Sequence, residues 1–173
     1  MRRTALVIRA PEADAVVGHW REGLASDARR GVPAHFTVLF PFVPVVDIDG
    51  ARDRIAAALA PIAPFEYALT STAWFGSDVL WLAPDDDVPF RTLIGSVERA
   101  FPALRPYGGA HAQTVPHLTI GDGRALADLQ EAERAIQARL PIHGRVERLT
   151  LLAEQSDATW RTSETFPLGR ERL

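Results

Sequence analysis

One local arrangement is written twice in this chain. A β-like run opening on His-x-Thr is followed by a helix-forming stretch and then by two alternating segments joined at a polar turn. The first run is Pro33-Ala34-His35-Phe36-Thr37-Val38-Leu39-Phe40, ended by Pro41 and Pro44, and the second is His117-Leu118-Thr119-Ile120. The two histidines stand about half the chain apart. A unit repeated in this way has one apolar face per strand and helix to bury, and a duplicated pair covers those faces by packing together. The expectation is an α+β, bilobal, pseudo-twofold duplication, with two mainly antiparallel sheets, helices packed outside and a central cleft.

The local signals fill in this outline. Residues 4–9 read as a strand and 12–29 as a helix. Residues 50–60 are alanine-rich and stopped by Pro61, which predicts a second helix. Phe65, Tyr67 and Leu69 alternate with Glu66, Ala68 and Thr70, and Gly76-Ser77-Asp78 turns the chain into Val79-Leu80-Trp81-Leu82, a hairpin pattern. In the second half Asp87 is placed to cap a helix over 88–101, with Pro89 tolerated in its first turn. A Gly/Pro-rich loop from Pro102 to Pro116 precedes the second motif. A helix over 124–139 spaces Leu126, Leu129, Ala132 and Ile136 to bury one face. Val146 to Leu152 and Thr159 to Leu168 predict a closing hairpin that turns near Gln155-Ser156-Asp157. Trp81 and Trp160 fall at similar distances after their histidines. With no linker between the copies, residues 1–173 are expected to form a single bilobal domain, its His-x-Thr units near 31–84 and 113–169.

Composition narrows the class. The 173 residues are 47% hydrophobic and 24% charged, ordinary for a globular protein. No apolar run reaches the roughly 18 residues that span a bilayer, and the stretch after Met1-Arg2-Arg3 is too short for a signal sequence. With no cysteine there is neither a disulfide nor a thiolate metal site, so a cytoplasmic location is the default. A net charge of −3 argues against a protein that coats long nucleic acid, while leaving room for a nucleotide or an RNA end. All 19 basic residues are arginine, so lysine chemistry is excluded. Oligomeric state is not encoded here, and a monomer is the default.

On a strand, side chains two apart share a face. His35 and Thr37 therefore point together, as do His117 and Thr119, and facing repeats would bring two imidazoles and two hydroxyls to one place. Phe36, Val38 and Phe40 are expected on the opposite, core side, with Leu118 and Ile120. Of the other histidines, His111 precedes the second motif and reads as a surface residue or a cleft-lining one, and His19 and His143 read as structural or exposed. Trp74, Trp81, Trp160 and Tyr107 are candidates to stack on a base, with core packing the expected role for most of them. Asp85-Asp86-Asp87 looks superficially like metal ligands, but a solvated turn with a helix cap accounts for it.

The stretches Ala34-His35-Phe36-Thr37-Val38-Leu39-Phe40-Pro41-Phe42 and Pro116-His117-Leu118-Thr119-Ile120-Gly121 resemble those of the two-histidine (2H) phosphoesterase superfamily, in its 2′-5′ RNA ligase and cyclic phosphodiesterase branch. The closing pattern Leu149-Thr150-Leu151, Trp160 and Phe166-Pro167-Leu168-Gly169 adds to the likeness, which extends over essentially the whole chain. It implies a metal-independent phosphodiesterase, without cofactor, acting on 2′,3′-cyclic phosphate or 2′-5′ bonds of nucleotides or RNA ends. His35 and His117 would be the catalytic pair, and Thr37 and Thr119 would bind the phosphate. Some members carry an arginine soon after the second motif; here Gly121-Asp122-Gly123-Arg124 intervenes, which leaves Arg124 without a clear match. Imidazole titrates near neutrality, so one ring can accept a proton while the other donates one. Which is base and which acid stays open at this level. Competing readings are 2′-5′ ligation, a non-catalytic nucleotide or RNA-end binding module, and a zinc site built on His35, His111 and His117 that lacks an evident further ligand.

Overall fold

The computed structural model describes residues 1–109 and 115–169. The elements run β1 (Thr4–Arg9), α1 (Pro11–Leu24), β2 (His35–Leu39), α2 (Ile48–Leu59), β3 (Phe65–Phe75), β4 (Val79–Pro84), α3 (Val88–Ala100), β5 (Leu118–Asp122), α4 (Leu126–Gln137), β6 (Ile142–Val146), β7 (Arg148–Glu154) and β8 (Trp160–Pro167). The strands make two four-stranded sheets, in the orders β2-β1-β7-β8 and β5-β4-β3-β6, with antiparallel pairing throughout. The α+β duplicated architecture expected from the repeat is the one observed. No helix among the described residues is long and apolar enough to cross a membrane.

The two sheet orders superimpose strand for strand, and this gives the phase of the duplication. The unit is strand, helix, motif strand, helix, strand: β1-α1-β2-α2-β3 in the first copy and β4-α3-β5-α4-β7 in the second. The hairpin β3–β4 therefore bridges the copies instead of closing the first one. Each sheet takes a motif strand from one copy and its third strand from the other. Trp81 and Trp160 are consequently not equivalent. Trp81 pairs with Thr119 on β5, whereas the residue paired with Thr37 is Val7. Helices cross over too. α1 and α4 cover the second sheet, and α2 and α3 cover the first. One large buried cluster runs through both sheets, including Leu6, Phe36, Leu80, Phe90 and Leu118.

Several elements depart from the sequence reading for identifiable reasons. The helix expected over 12–29 stops at Leu24, because Ala25 turns extended and the next residues are held by other contacts. Asp87 occupies the cap position of α3 but makes no capping bond with its side chain. The Asp86 carboxylate accepts the Val88 N–H at 3.0 Å, and Asp87 pairs with Arg91 at 2.7 Å. Leu129, Ala132 and Ile136 of α4 are buried, but Leu126, its first residue, stays exposed. β6, except for its last residue Val146, lies outside every expected element. Its alternation is muted because Gly144 stands between Ile142 and Val146, and that glycine is required: a Cβ there would lie 2.4 Å from the Tyr67 ring.

Gly121 plays the same part where the helices meet β5. An added Cβ would come within 2.6 Å of Leu129 Cδ2 and 2.8 Å of Leu24 Cβ, so α1 and α4 approach the strand only over a bare backbone. Gly121→Ala is expected to destabilise the fold by about 2 kcal/mol through overpacking, read as a fall in Tm of roughly 4–8 °C.

Candidate active site

The two motif strands, β2 and β5, are edge strands of different sheets, and they adjoin. Each carries a β-bulge at the same place. Val7 pairs with Thr37 and Leu6 with Leu39, so Val38 is the extra residue; Trp81 pairs with Thr119 and Leu80 with Gly121, so Ile120 is. Up to the bulge the alternation holds, with Phe36, Val38, Leu118 and Ile120 in the core. Beyond it the faces exchange, since one inserted residue reverses side-chain parity. Phe40, expected in the core, therefore turns to the cleft, and Asp122 does so on β5.

The cleft between the strands has a volume of about 740 Å³, and His35, Thr37, His117 and Thr119 all line it. The imidazoles are anchored alike. Nδ1 of His35 lies 2.8 Å from the Pro33 carbonyl, and Nδ1 of His117 lies 2.7 Å from the Val115 carbonyl. A carbonyl oxygen only accepts, so each Nδ1 carries a hydrogen and donates it. That fixes Nε2 in both rings as the nitrogen whose protonation state can change.

Behind His35 stands a buried ionic device. Arg21, 1% exposed, reaches from α1 to three acceptors: the Thr119 carbonyl, the Val32 carbonyl at 3.3 Å, and Asp27 Oδ1 at 2.9 Å. The other Asp27 oxygen, Oδ2, lies 3.9 Å from His35 Nε2. Burial lowers the proton affinity of His35 below the ordinary value. The Asp27 carboxylate opposes that, and the Arg21 and His117 charges reinforce it. His117 has different walls. Its ring meets Phe75 edge-on at 5.0 Å and Trp81 at 5.9 Å, and those two aromatics stack on each other.

At the other end of the cleft, Arg3 lies 5.7 Å from the Phe40 and Trp160 ring centres and forms a two-point ion pair with Glu154. This pairing holds the Glu154 carboxyl down at about 2. Asp122 receives the Ser26 backbone N–H at 2.8 Å and its hydroxyl at 2.7 Å, which ties the end of β5 to the segment after α1.

The remaining candidates distribute as follows. His19 and His143 are exposed and away from the cleft, and Arg124 does not line it. Trp74 donates to Glu133 at 2.9 Å on the outer face of its sheet, Trp81 is buried beside His117, and Trp160 lines the cleft. Asp85, Asp86 and Asp87 serve the turn and the start of α3. His111, read as a surface or cleft-lining residue and as a member of the competing zinc site, lies outside the described residues, as does the side chain of Tyr107. Among the described residues no three His, Asp or Glu side chains are grouped to hold a metal ion. Sequence reasoning missed Arg21, Asp27, Asp122 and Phe75. Only Arg21 carried a signal: it shares the helical spacing of Ala13, Val17 and Leu24, an arginine on an apolar stripe. Arg21→Met should cost about 3 kcal/mol in chemical denaturation, because two carbonyls and a carboxylate lose their shared donor.

The family model of the 2′-5′ RNA ligase superfamily matches residues 9–158. No curated protein sequence matches significantly. Among solved structures, E. coli LigT complexed with 3′-AMP aligns with a TM-score of 0.63 at 14% identity, over 98% of this chain and 99% of that one. TT0787 of Thermus thermophilus aligns with a TM-score of 0.65 at 18% identity, over 99% and 100%. At such identities the structural likeness speaks for the fold, and the family match extends over most of the sequence. The chain belongs to the 2′-5′ RNA ligase superfamily of two-histidine phosphoesterases.

Proposed function

We propose that this protein is a metal-independent phosphodiesterase that opens 2′,3′-cyclic phosphates or cleaves 2′-5′ phosphodiester bonds of nucleotides or RNA ends, with His35 and His117 as the acid–base pair. The observation that carries this reading is the matched anchoring of two imidazoles on one cleft, each Nδ1 tied to a backbone carbonyl. One Nε2 takes the proton of the attacking oxygen and the other supplies a proton to the leaving oxygen. After one turnover the protonation states have exchanged, and proton exchange with water restores them.

Thr37 and Thr119 are placed two residues after the histidines on the same faces, where their hydroxyls donate to the non-bridging phosphoryl oxygens as charge develops. The apolar walls suit a nucleoside: Phe75 rises beside His117, and Phe40 and Trp160 close the far end. A nucleotide ligand also accords with the complexes of E. coli LigT with 3′-AMP, NADP+ and ATP. Ligation is the same chemistry run backwards, with a ribose hydroxyl as the nucleophile.

Hydrolysis of a 2′,3′-cyclic nucleotide should persist in EDTA. His35→Ala and His117→Ala should each lower kcat by about a thousandfold while remaining folded. Full activity in either folded variant would refute the two-histidine mechanism. Loss of wild-type activity on chelation would instead implicate a metal.

A further inference from the structure

The two histidines are anchored alike, and His35 has a carboxylate, that of Asp27, on its cleft side. The carboxylate approaches His35 from the Nε2 side, the side of the cleft, and not from Nδ1, which the Pro33 carbonyl occupies. An acidic group so close to a phosphate site would ordinarily repel the substrate. Here Oδ1 is held at 2.9 Å by the buried Arg21 guanidinium, which offsets the charge and fixes the carboxylate so that Oδ2 is the oxygen turned to His35. His35 Nε2 and Asp27 Oδ2 are thus two acceptors 3.9 Å apart on the cleft wall. A water oxygen ~2.8 Å from both would see them at an angle of about 90°, near the ~105° between its own O–H bonds. An alcohol has a single O–H and would press its carbon against whichever acceptor it left unbonded.

We propose that Asp27 positions the hydrolytic water, making His35 the general base, His117 the general acid, and water the preferred nucleophile over an alcohol. This rests on the two-histidine reading and assigns roles within it. The water gives one proton to His35 Nε2 and keeps the other bonded to Asp27 while its oxygen bonds to phosphorus. The bond from phosphorus to the leaving ribose oxygen breaks, and that oxygen takes its proton from His117 Nε2. The product is a phosphomonoester and a free ribose hydroxyl. The lowered proton affinity of His35 agrees with this, since a base must be unprotonated before the reaction begins.

Asp27→Asn is the informative variant. Arg21 only donates, so it claims the carboxamide oxygen, and the amide nitrogen then presents hydrogens to His35 where an acceptor stood. The test compares this variant with wild type on a 2′,3′-cyclic nucleotide in EDTA, with and without a fixed concentration of methanol. The hydrolytic kcat is expected to fall roughly 10- to 100-fold with little change in KM. The share of methyl ester among the products should rise. The acid limb of kcat/KM should also move. In wild type it should lie below the ordinary histidine value, since burial lowers the proton affinity of His35. Asp27, with the Pro33 carbonyl, raises His35 against burial, Arg21 and His117, so loss of the Asp27 charge should carry the limb to still lower pH. Should Asp27→Asn fail to fold, Asp27→Glu keeps a carboxylate for Arg21, displaces the second oxygen by a methylene, and should shift the product ratio likewise. Unchanged kcat and product ratio in the folded variant, or equal losses of hydrolysis and methanolysis, would overturn the role of Asp27. A wild type inactive on every cyclic and 2′-5′ substrate would overturn the two-histidine reading itself.

Discussion

The buried guanidinium of Arg21 is the interaction on which the rest of the site depends. A charge withdrawn from water costs several kcal/mol unless its donors are taken up, and here one planar fork meets a carboxylate and two carbonyls. The carbonyls belong to different motifs: Thr119 is part of the second, and Val32 lies just ahead of the first. Arg21 itself is on the helix that covers β5 and β6. Burial of α1 therefore draws both edge strands to one point. A lysine in the same place would offer a single ammonium centre and could not span the three acceptors in one plane. The clamp also explains why α1 ends early, since Asp27 must leave the helix to meet the arginine that precedes it.

A second constraint comes from the bulges. Without them, strict alternation would send Phe40 into the core. An extra residue directly after each motif threonine reverses parity there, so one strand face carries His, then Thr, and then the residue beyond the bulge. The edge position makes this possible, because the outer side of an edge strand has no ladder to disrupt. Just past β2 the residue gained is Phe40, which packs against Trp160; on β5 it is Asp122, which binds the Ser26 segment. The same backbone device thus shapes the nonpolar end of the cleft on one strand and fastens its polar wall on the other.

These two features mark where the sequence could be read and where it could not. Period-two and period-3.6 patterns located most strands and all four helices, because each buries one face against a neighbour. The pairing of His35 with Thr37 and His117 with Thr119 followed from alternation alone. What escaped was whatever depends on contacts between the copies. The phase of the duplication is invisible locally, since a hairpin looks the same whether it closes a unit or joins two. β6 was lost because a glycine interrupts its apolar pattern for the sake of Tyr67, on another strand. Asp122 was hidden by a bulge that leaves no mark in composition, and Asp27 acquires its meaning only through Arg21. The one legible trace was Arg21 on an apolar helical stripe, a charge placed where a hydrophobe belongs.

A duplicated fold left perfectly symmetric would leave the acid and base roles interchangeable. Two identical imidazoles close enough to repel as cations share one proton, but nothing decides which ring holds it. The backbone keeps the symmetry, down to the carbonyl two residues before each histidine. The side chains break it. Counted from the first residue of each helix, Pro11 and Val88, buried Ala13, Val16 and Val17 recur as Phe90, Leu93 and Ile94, but the place of the buried Arg21 is taken by Glu98. His35 accordingly faces a buried ion pair and His117 faces Phe75 and Trp81. Duplication supplies two equally placed rings, and the divergence of a few residues around them gives each a different environment without moving either backbone.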